Sequence, residues 1–323
     1  MKSKFAAAIA LLFAITCSAA AETYPSRTIT MIIPFAAGGP TDLLGRLLAQ
    51  RMGEILGQTI IVDNMGGAGG MNGAKRLASS QPDGYTIGIG TVGTHAQNQW
   101  LYDHPVYNAT TDFTPVALIA DVPIVLFTRK DLPVKNLTEF VAYAKQNQDK
   151  LKFGSGGPGS ASHLGCVVLD TAMGTHTTHV PYKGGELAMQ DVIAGRIDFE
   201  CDLISTVKPQ IDGGTIKALA TMSNARSPAL PDVPTTVEQG VDAKAYSWNA
   251  VFLPKGAPEE VVKKLSAAAM EAMNTPAFRD RLAKVGVEVV APERRTPEYL
   301  AGFVKSEIQK WEAPIKASGV KID

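Results

Sequence analysis

The sequence has few cysteines, no excess charge of either sign and only one long apolar run. Three cysteines in 323 residues exclude a scaffold built on disulfides. Lysine and arginine together number 31, as do aspartate and glutamate, so no basic surplus can neutralise a phosphate backbone and we expect no nucleic-acid partner. With 45% hydrophobic and 19% charged residues, the composition is neither that of a disordered polyelectrolyte nor that of an integral membrane protein.

The long apolar run stands at the amino terminus and has the order of a secretory signal. Lys2 and Lys4 precede an apolar stretch, residues 5–16, and small residues follow it up to Ala21. We therefore predict a signal peptide over residues 1–21 and release of the chain outside the cytoplasm. A lipid anchor on Cys17 is the less favoured alternative, because the two residues before it are not the small ones that usually precede a lipidated cysteine.

Two cysteines, Cys166 and Cys201, remain after that segment. In an oxidising compartment they could form a disulfide, or both could be buried free thiols. The sequence gives no distance between them, so both alternatives stay open.

Apolar runs rich in Val and Ile alternate with amphipathic stretches along the chain, which predicts an α/β fold with a parallel sheet covered by helices. The predicted strands are 28–35, 59–62, 85–90, 152–154, 177–180, 197–201 and 216–221. The predicted helices are 42–56, 71–79, 137–146, 162–173, 186–194, 259–274 and 297–318.

Two long extended runs, residues 114–128 and 247–253, are interpreted as crossings between two lobes. The chain is long enough for about two domains. We predict that one lobe contains residues 22–122 plus 249–323 and that the other contains residues 123–248. Neither lobe is then continuous in sequence.

The pattern F-x-x-G-G-P occurs twice, at residues 35–40 (the first glycine loop) and at residues 153–158 (the second glycine loop). Each loop follows a predicted strand and precedes a predicted helix. Glycines allow close approach of the backbone, and a helix start offers unpaired N–H groups to an anion. Because ligands of open α/β sheets bind beyond the carboxyl ends of the strands, the two loops are expected to face one cleft.

Residues 88–93 and 154–159 also match the dinucleotide pattern G-x-G-x-x-G. Pro158 interrupts the second match, and neither is followed by a clear ribose-binding acid, so no cofactor is expected. His176 and His179 have no cysteine or acidic residue that would complete a ligand set, so no metal is expected either.

Ser160, Ser162 and His163 raise the alternative of an extracytoplasmic hydrolase that uses Ser160 and His163. The pattern G-x-S-x-G of a nucleophile elbow is absent from the sequence, which favours capping and ligand binding over catalysis. Asp198 is interpreted as structural, and Asp202 as a cleft residue that accepts a hydrogen bond.

These motifs, taken together and in order, resemble those of one known family, the periplasmic solute-binding proteins of tripartite tricarboxylate transporters, or Bug/TctC-like proteins. The resemblance covers the whole chain after the signal segment. It rests on Tyr24-Pro25, Gly38-Gly39 with Asp42, Asn64 with Gly67-Ala68-Gly69-Gly70, Pro82-Asp83-Gly84-Tyr85, Gly154-Ser155, Gly159-Ser160, His179-Val180-Pro181-Tyr182-Lys183-Gly184-Gly185, Asp198, Asp202 and Leu230-Pro231-Asp232-Val233-Pro234-Thr235. The sequence departs from the family at Ala36-Ala37, Cys166 and Cys201.

The resemblance implies a two-lobed periplasmic-binding-protein fold of the Venus flytrap, type II-like kind, with two hinge crossings and no catalysis. It implies a monomer in the periplasm that captures a small organic carboxylate and delivers it to the membrane subunits of a tripartite tricarboxylate transporter. The carboxylate is expected between the two glycine loops. The predicted ligand contacts are Phe35, Gly38, Gly39, Thr41, Asp42, Thr91, His95, Ser155, Gly159, Ser160, His163, Tyr182 and Asp202.

Overall fold

The structure is a computed structural model that describes residues 23–321. The predicted signal peptide, residues 1–21, lies outside this range, as does Cys17. Within the described range, none of the helices combines the length and the apolar character that a membrane span requires.

Helices and strands alternate along the chain. The strands are β1 (Ile29–Ile33), β2 (Ile60–Asn64), β3 (Thr86–Thr91), β4 (Phe113–Arg129), β5 (Lys152–Ser155), β6 (Thr178–Pro181), β7 (Phe199–Leu203), β8 (Ile216–Thr221), β9 (Tyr246–Pro254) and β10 (Glu288–Val289). The α-helices are α1 (Pro40–Leu56), α2 (Met71–Ala78), α3 (Asn98–Leu101), α4 (Leu137–Asn147), α5 (Ala161–Met173), α6 (Gly185–Ile193), α7 (Ile204–Asp212), α8 (Glu259–Asn274), α9 (Pro276–Lys284) and α10 (Pro297–Ser318). A π-helical turn, Gly93–Gln97, precedes α3.

The strands form two lobes that share β4. In the first lobe β1 pairs in parallel with β2 and β3, and in the second β5 pairs in parallel with β6 and β7. The sheet is mixed rather than parallel as predicted, because β4, β8 and β9 join it in antiparallel orientation. The two-lobed α/β prediction is confirmed.

Strand β4 passes from one lobe into the other. It pairs with β9 up to Pro123 and with β7 from Ile124 onward. This change of partner falls in the first predicted crossing, and β9 covers the second. The exact lobe boundaries remain a prediction.

Helix α1 illustrates how the sequence fixes these elements. It begins at Pro40, whose missing N–H costs nothing in the first turn, and it ends before Gly57 in the left-handed conformation. Its face with Leu44, Leu48 and Met52 is buried, which orients the helix start toward the cleft.

The carboxyl-terminal helix is fastened to the crossing strand β9. Trp248, fully buried in β9, donates its indole N–H to Glu307 Oε2 at 3.1 Å, and the Tyr246 hydroxyl lies 3.0 Å from Glu307 Oε1. Glu307 is itself buried in α10. Two side chains of β9 thus bond to one buried carboxyl group of α10, so α10 holds this part of β9 in place.

Cys166 and Cys201 are both buried and both free. Burial raises the pKa of each thiol, and the two side chains share a hydrogen bond between α5 and β7. The sequence left open a disulfide or two buried free thiols, and the structure has the free thiols.

Candidate functional site

A cavity of about 540 Å³ lies between the lobes at the carboxyl ends of the parallel strands. Its walls are the first glycine loop and α1 start from one lobe, and the second glycine loop, the α6 start and the end of β7 from the other. Eight of the predicted ligand contacts line it: Phe35, Gly38, Gly39, Thr41, Thr91, Gly159, Ser160 and Asp202. Their contact with a ligand stays a prediction.

The first glycine loop is shaped from behind by Asp42. One carboxylate oxygen accepts the Gly38 N–H at 2.9 Å and Arg46 Nε at 2.9 Å, and the other accepts Asn64 Nδ2 at 2.8 Å. Burial acts to raise the pKa of Asp42, but these hydrogen bonds outweigh it and the pKa is lowered. The structure thus places Asp42 behind the loop rather than in the cavity wall, as an ionised group that holds Gly38 in its positive-φ conformation.

The start of α1 is open toward the cavity. Gly39 is the N-cap and provides no side-chain cap, and Pro40 has no N–H. The N–H groups of the next two residues, Thr41 and Asp42, have no partner within the helix, whereas the Leu43 N–H bonds to the Gly39 carbonyl. Together with the Thr41 hydroxyl, they form a donor set without formal charge at the positive end of the helix dipole.

The second glycine loop is held by its own hydrogen bonds. Ser155, fully buried, contacts His179 Nε2 at 2.6 Å and accepts the Gly157 N–H at 3.1 Å. His163 Nδ1 accepts the Gly159 N–H at 3.2 Å. Ser155 and His163 therefore lie outside the cavity wall, and this placement favours a role in shaping the loop over the predicted ligand contact.

The arrangement of Ser160 and His163 differs from a nucleophile and its base. Ser160 Oγ caps α5 by accepting the backbone N–H of His163, and it also lies within hydrogen-bond distance, 3.1 Å, of the Ser162 hydroxyl. The ring nitrogen Nδ1 of His163 is occupied by Gly159, and burial lowers the pKa of this ring to about 3. A base needs a hydrogen bond to its nucleophile, and here the ring bonds to the loop backbone.

His95 and Tyr182 are also placed outside the cavity wall. The His95 ring is stacked on Phe252 with centroids 4.0 Å apart, and burial lowers its pKa to about 3. The Tyr182 hydroxyl donates to Asp191 Oδ2 at 2.6 Å. Both side chains support the walls of the site from within the lobes.

The sequence interpretation missed one wall, which residues 183–187 form at the start of α6. Gly184 is its N-cap and provides no side-chain cap, as at α1. The signal was present, because Gly184-Gly185 lie between a strand and a helix, as the glycine pairs of both glycine loops do. Thr206 and Ser247 also line the cavity without having been predicted.

Asp202 closes this wall at the end of β7. Its side chain is packed against Gly185, where a Cβ would lie 2.4 Å from Asp202 Oδ2. Burial raises the pKa of Asp202 to about 7, and repulsion from Glu186 adds to the effect, while hydrogen bonds from the Leu203 N–H and the Thr206 hydroxyl oppose it. The Oδ2 atom is buried without a hydrogen-bond partner among the described residues.

Over residues 23–321, no three His, Cys, Asp or Glu side chains come together as metal ligands. Of the lining residues that the structure describes, Lys183 alone is cationic. The cavity is therefore suited to a small organic molecule whose anionic group is met mainly by neutral donors.

Comparison with known proteins identifies a family of solute receptors. The family described as "Tripartite tricarboxylate transporter family receptor" matches residues 44–320. A relative from Agrobacterium vitis, named "UPF0065 protein in the TAR-I ttuE-ttuC' intergenic region", is 40% identical over 301 residues, which are 93% of this chain and 87% of that protein.

Two solved structures from Rhodopseudomonas palustris share the fold. MatC (Rpa3494) with bound malate is 39% identical with a TM-score of 0.86, over 90% of this chain and 100% of that one. Rpa4515 with adipate is 35% identical with a TM-score of 0.87, over 92% and 99%. The chain belongs to the tripartite tricarboxylate transporter receptor family, the solute-binding proteins of the Bug and TctC type.

Proposed function

We propose that the protein captures a small organic carboxylate in the interlobe cavity and delivers it to the membrane subunits of a tripartite tricarboxylate transporter. The observation that carries the proposal is the pair of uncapped helix starts, α1 and α6, which line one cavity from opposite lobes. Uncapped helix starts bind anions through their free N–H groups and the helix dipole.

Hydroxyl groups complete the donor set. Thr41 comes from one lobe and Ser160 and Ser162 from the other, and all three line the cavity. A carboxylate between them would accept charge-assisted hydrogen bonds from both lobes at once. Such a ligand stabilises the closed arrangement, because only there do both lobes contact it.

The ligands of two structural neighbours support the chemical class. MatC holds malate and Rpa4515 holds adipate, and both are dicarboxylates. We propose that Lys183 meets a second carboxylate, since it is the single cation among the described lining residues. The ligand's body contacts Phe35 and Leu187.

We propose that the protein works as a monomer in the periplasm, as the family resemblance implies. The two lobes close about the crossings in β4 and β9 and present the loaded form to the transporter. A hydrolase that uses Ser160 and His163 is the competing function, and the hydrogen bonds of the two residues argue against it.

The test is a thermal-shift screen of the purified protein against carboxylates, with malate, adipate, succinate, citrate and benzoate as probes. A ligand that binds only the folded state raises stability by RT ln(1 + [L]/Kd). Mass spectrometry of each stabilising probe after incubation should find it unchanged. A new product would indicate the hydrolase, and a panel that leaves the melting temperature unchanged would contradict the proposal.

A further inference from the structure

The charge of the cavity poses a problem for an anion site. Its described lining contains two carboxyl groups, Glu186 and Asp202, and one ammonium group, Lys183. Glu200 lies two residues before Asp202 on the same strand and is fully buried. Neither of its carboxyl oxygens has a hydrogen-bond partner among the described residues. If all the acids were ionised, a bound carboxylate would meet a net negative surface.

Among residues 23–321, no buried cation lies beside Asp202 to balance its charge. The titratable groups near it are Glu200 and Cys201 on its own strand, Glu186 on α6 and Lys183 in the loop before α6. Lys183 is exposed, whereas 95% of Asp202 is buried, since its relative exposure is 5%. Helix α7 contributes the Thr206 hydroxyl, and β4 places Val125 opposite Asp202.

The carboxyl group of Asp202 lines the cavity with one oxygen unsatisfied. Asp202 Oδ2 is buried and has no hydrogen-bond partner among the described residues. Burying an ionised carboxylate oxygen without a partner costs free energy. A protonated carboxyl group is instead a hydrogen-bond donor, which requires an acceptor. A ligand carboxylate would be that acceptor.

On the basis of the proposed function, we infer that Asp202 is protonated in the loaded protein and donates a hydrogen bond to the ligand's carboxylate. Ligand capture is thereby coupled to one proton. With Asp202 neutral, the charges of Lys183 and Glu186 balance, and the anion enters a lining without net charge. The raised pKa of Asp202, about 7, agrees with this arrangement.

The histidines near the loops do not produce the same coupling. Burial lowers the pKa of His95 and His163 to about 3 and that of His179 to about 4. These rings stay neutral between pH 6 and pH 9, the range in which Asp202 changes its charge.

The experiment is calorimetry from pH 6 to pH 9 with the probe of the carboxylate panel that gives the largest thermal shift. We expect the apparent Kd to rise by roughly a hundredfold over this range, because affinity falls about tenfold for each pH unit above the midpoint. At pH 8, titrations in buffers of different ionisation enthalpy should show uptake of about one proton per ligand at saturation, and at pH 6 close to none.

Two variants distinguish the titration of Asp202 from that of its neighbour Glu200. Asp202→Asn keeps a donor that cannot ionise, so its affinity should be nearly independent of pH. Glu200→Gln should keep the pH slope of the wild type. A slope that persists in Asp202→Asn, or that is lost only in Glu200→Gln, would overturn the inference. Affinity that rises with sodium concentration without proton uptake would also overturn it, because a cation would then balance Asp202.

A measurement on the ligand-free protein tests the protonation of Asp202 independently of the proposed function. Carboxyl ¹³C shifts of aspartate-labelled protein, assigned with Asp202→Asn, should show Asp202 titrating near pH 7 in the free protein. A titration midpoint below pH 5 would refute the protonation of Asp202, even if carboxylates bind. If no panel member binds, the proposed function fails, while the titration of Asp202 still decides its protonation.

Discussion

The buried carboxyl of Asp202 should make the stability of the ligand-free protein depend on pH. Its pKa is raised from 3.8 to about 7 in the folded state, mainly by burial. Between these two values the folded protein holds a proton that the unfolded chain has lost, so stability falls as pH rises through this window. At 1.36 kcal/mol per pKa unit, the full loss is about 4 kcal/mol, of which about 1.4 kcal/mol falls between pH 6 and pH 8.

Asp202→Asn removes this term. We expect the variant to be more stable than the wild type at pH 8, by less than the full 4 kcal/mol because the amide is also a buried polar group. Urea unfolding at pH 6 and pH 8, monitored by circular dichroism, measures the free energy of unfolding of both proteins. Glu271→Gln, an exposed acid on α8 that does not act on the pKa of Asp202, is the control. The reasoning fails if the wild type and Asp202→Asn lose the same stability between the two pH values.

Three further predictions concern ligand contact, closure and packing. Thr41→Ala and Ser160→Ala should each weaken carboxylate binding by roughly tenfold to a hundredfold in calorimetry, because a charge-assisted hydrogen bond contributes about 1.5–3 kcal/mol; intact affinity in both would contradict the site. Small-angle scattering should show a smaller radius of gyration with saturating ligand, and an unchanged radius would argue against closure. Gly73→Ala should lower the free energy of unfolding by roughly 1–3 kcal/mol, since its Cβ would lie 2.7 Å from Pro34 Cα and 2.8 Å from the Met65 carbonyl. The matched Gly302→Ala, in an exposed helical position with no atom within 4 Å, should instead gain about 0.5–1 kcal/mol.

Elements with a strong apolar pattern could be predicted from the sequence. Strand β8 has the predicted bounds, and α4 ends one residue beyond its prediction. Helices α7 and α9 were missed because each rests on only two buried residues, Ile204 and Val207 in one and Phe278 and Leu282 in the other. Two buried positions give too little periodicity to identify a helix, and Pro209 within α7 also argues against one.

The backbone segments that form the site could be predicted from the sequence, but the direction of their side chains could not. Glycine pairs between a strand and a helix identified two walls, and the same pattern at Gly184-Gly185 would have identified the third. Side-chain direction was harder, because neighbouring residues at a strand end point to opposite faces. Ser155 points into the lobe toward His179, while Ser160, five positions later at the start of α5, lines the cavity. Sequence spacing alone does not distinguish these two serines.

The attachment of β9 to α10 gives the protein a fluorophore at the crossing between its lobes. Trp248 is one of only three tryptophans in the chain, and its indole N–H bonds to the buried Glu307 carboxyl group. Emission from a buried indole responds to the electric field of a nearby charge, so a small change in the distance between Trp248 and Glu307 would shift its wavelength. Lobe movement that displaces β9 against α10 would then be visible in real time without any added dye. Trp248→Phe, which keeps Trp100 and Trp311, gives the background emission.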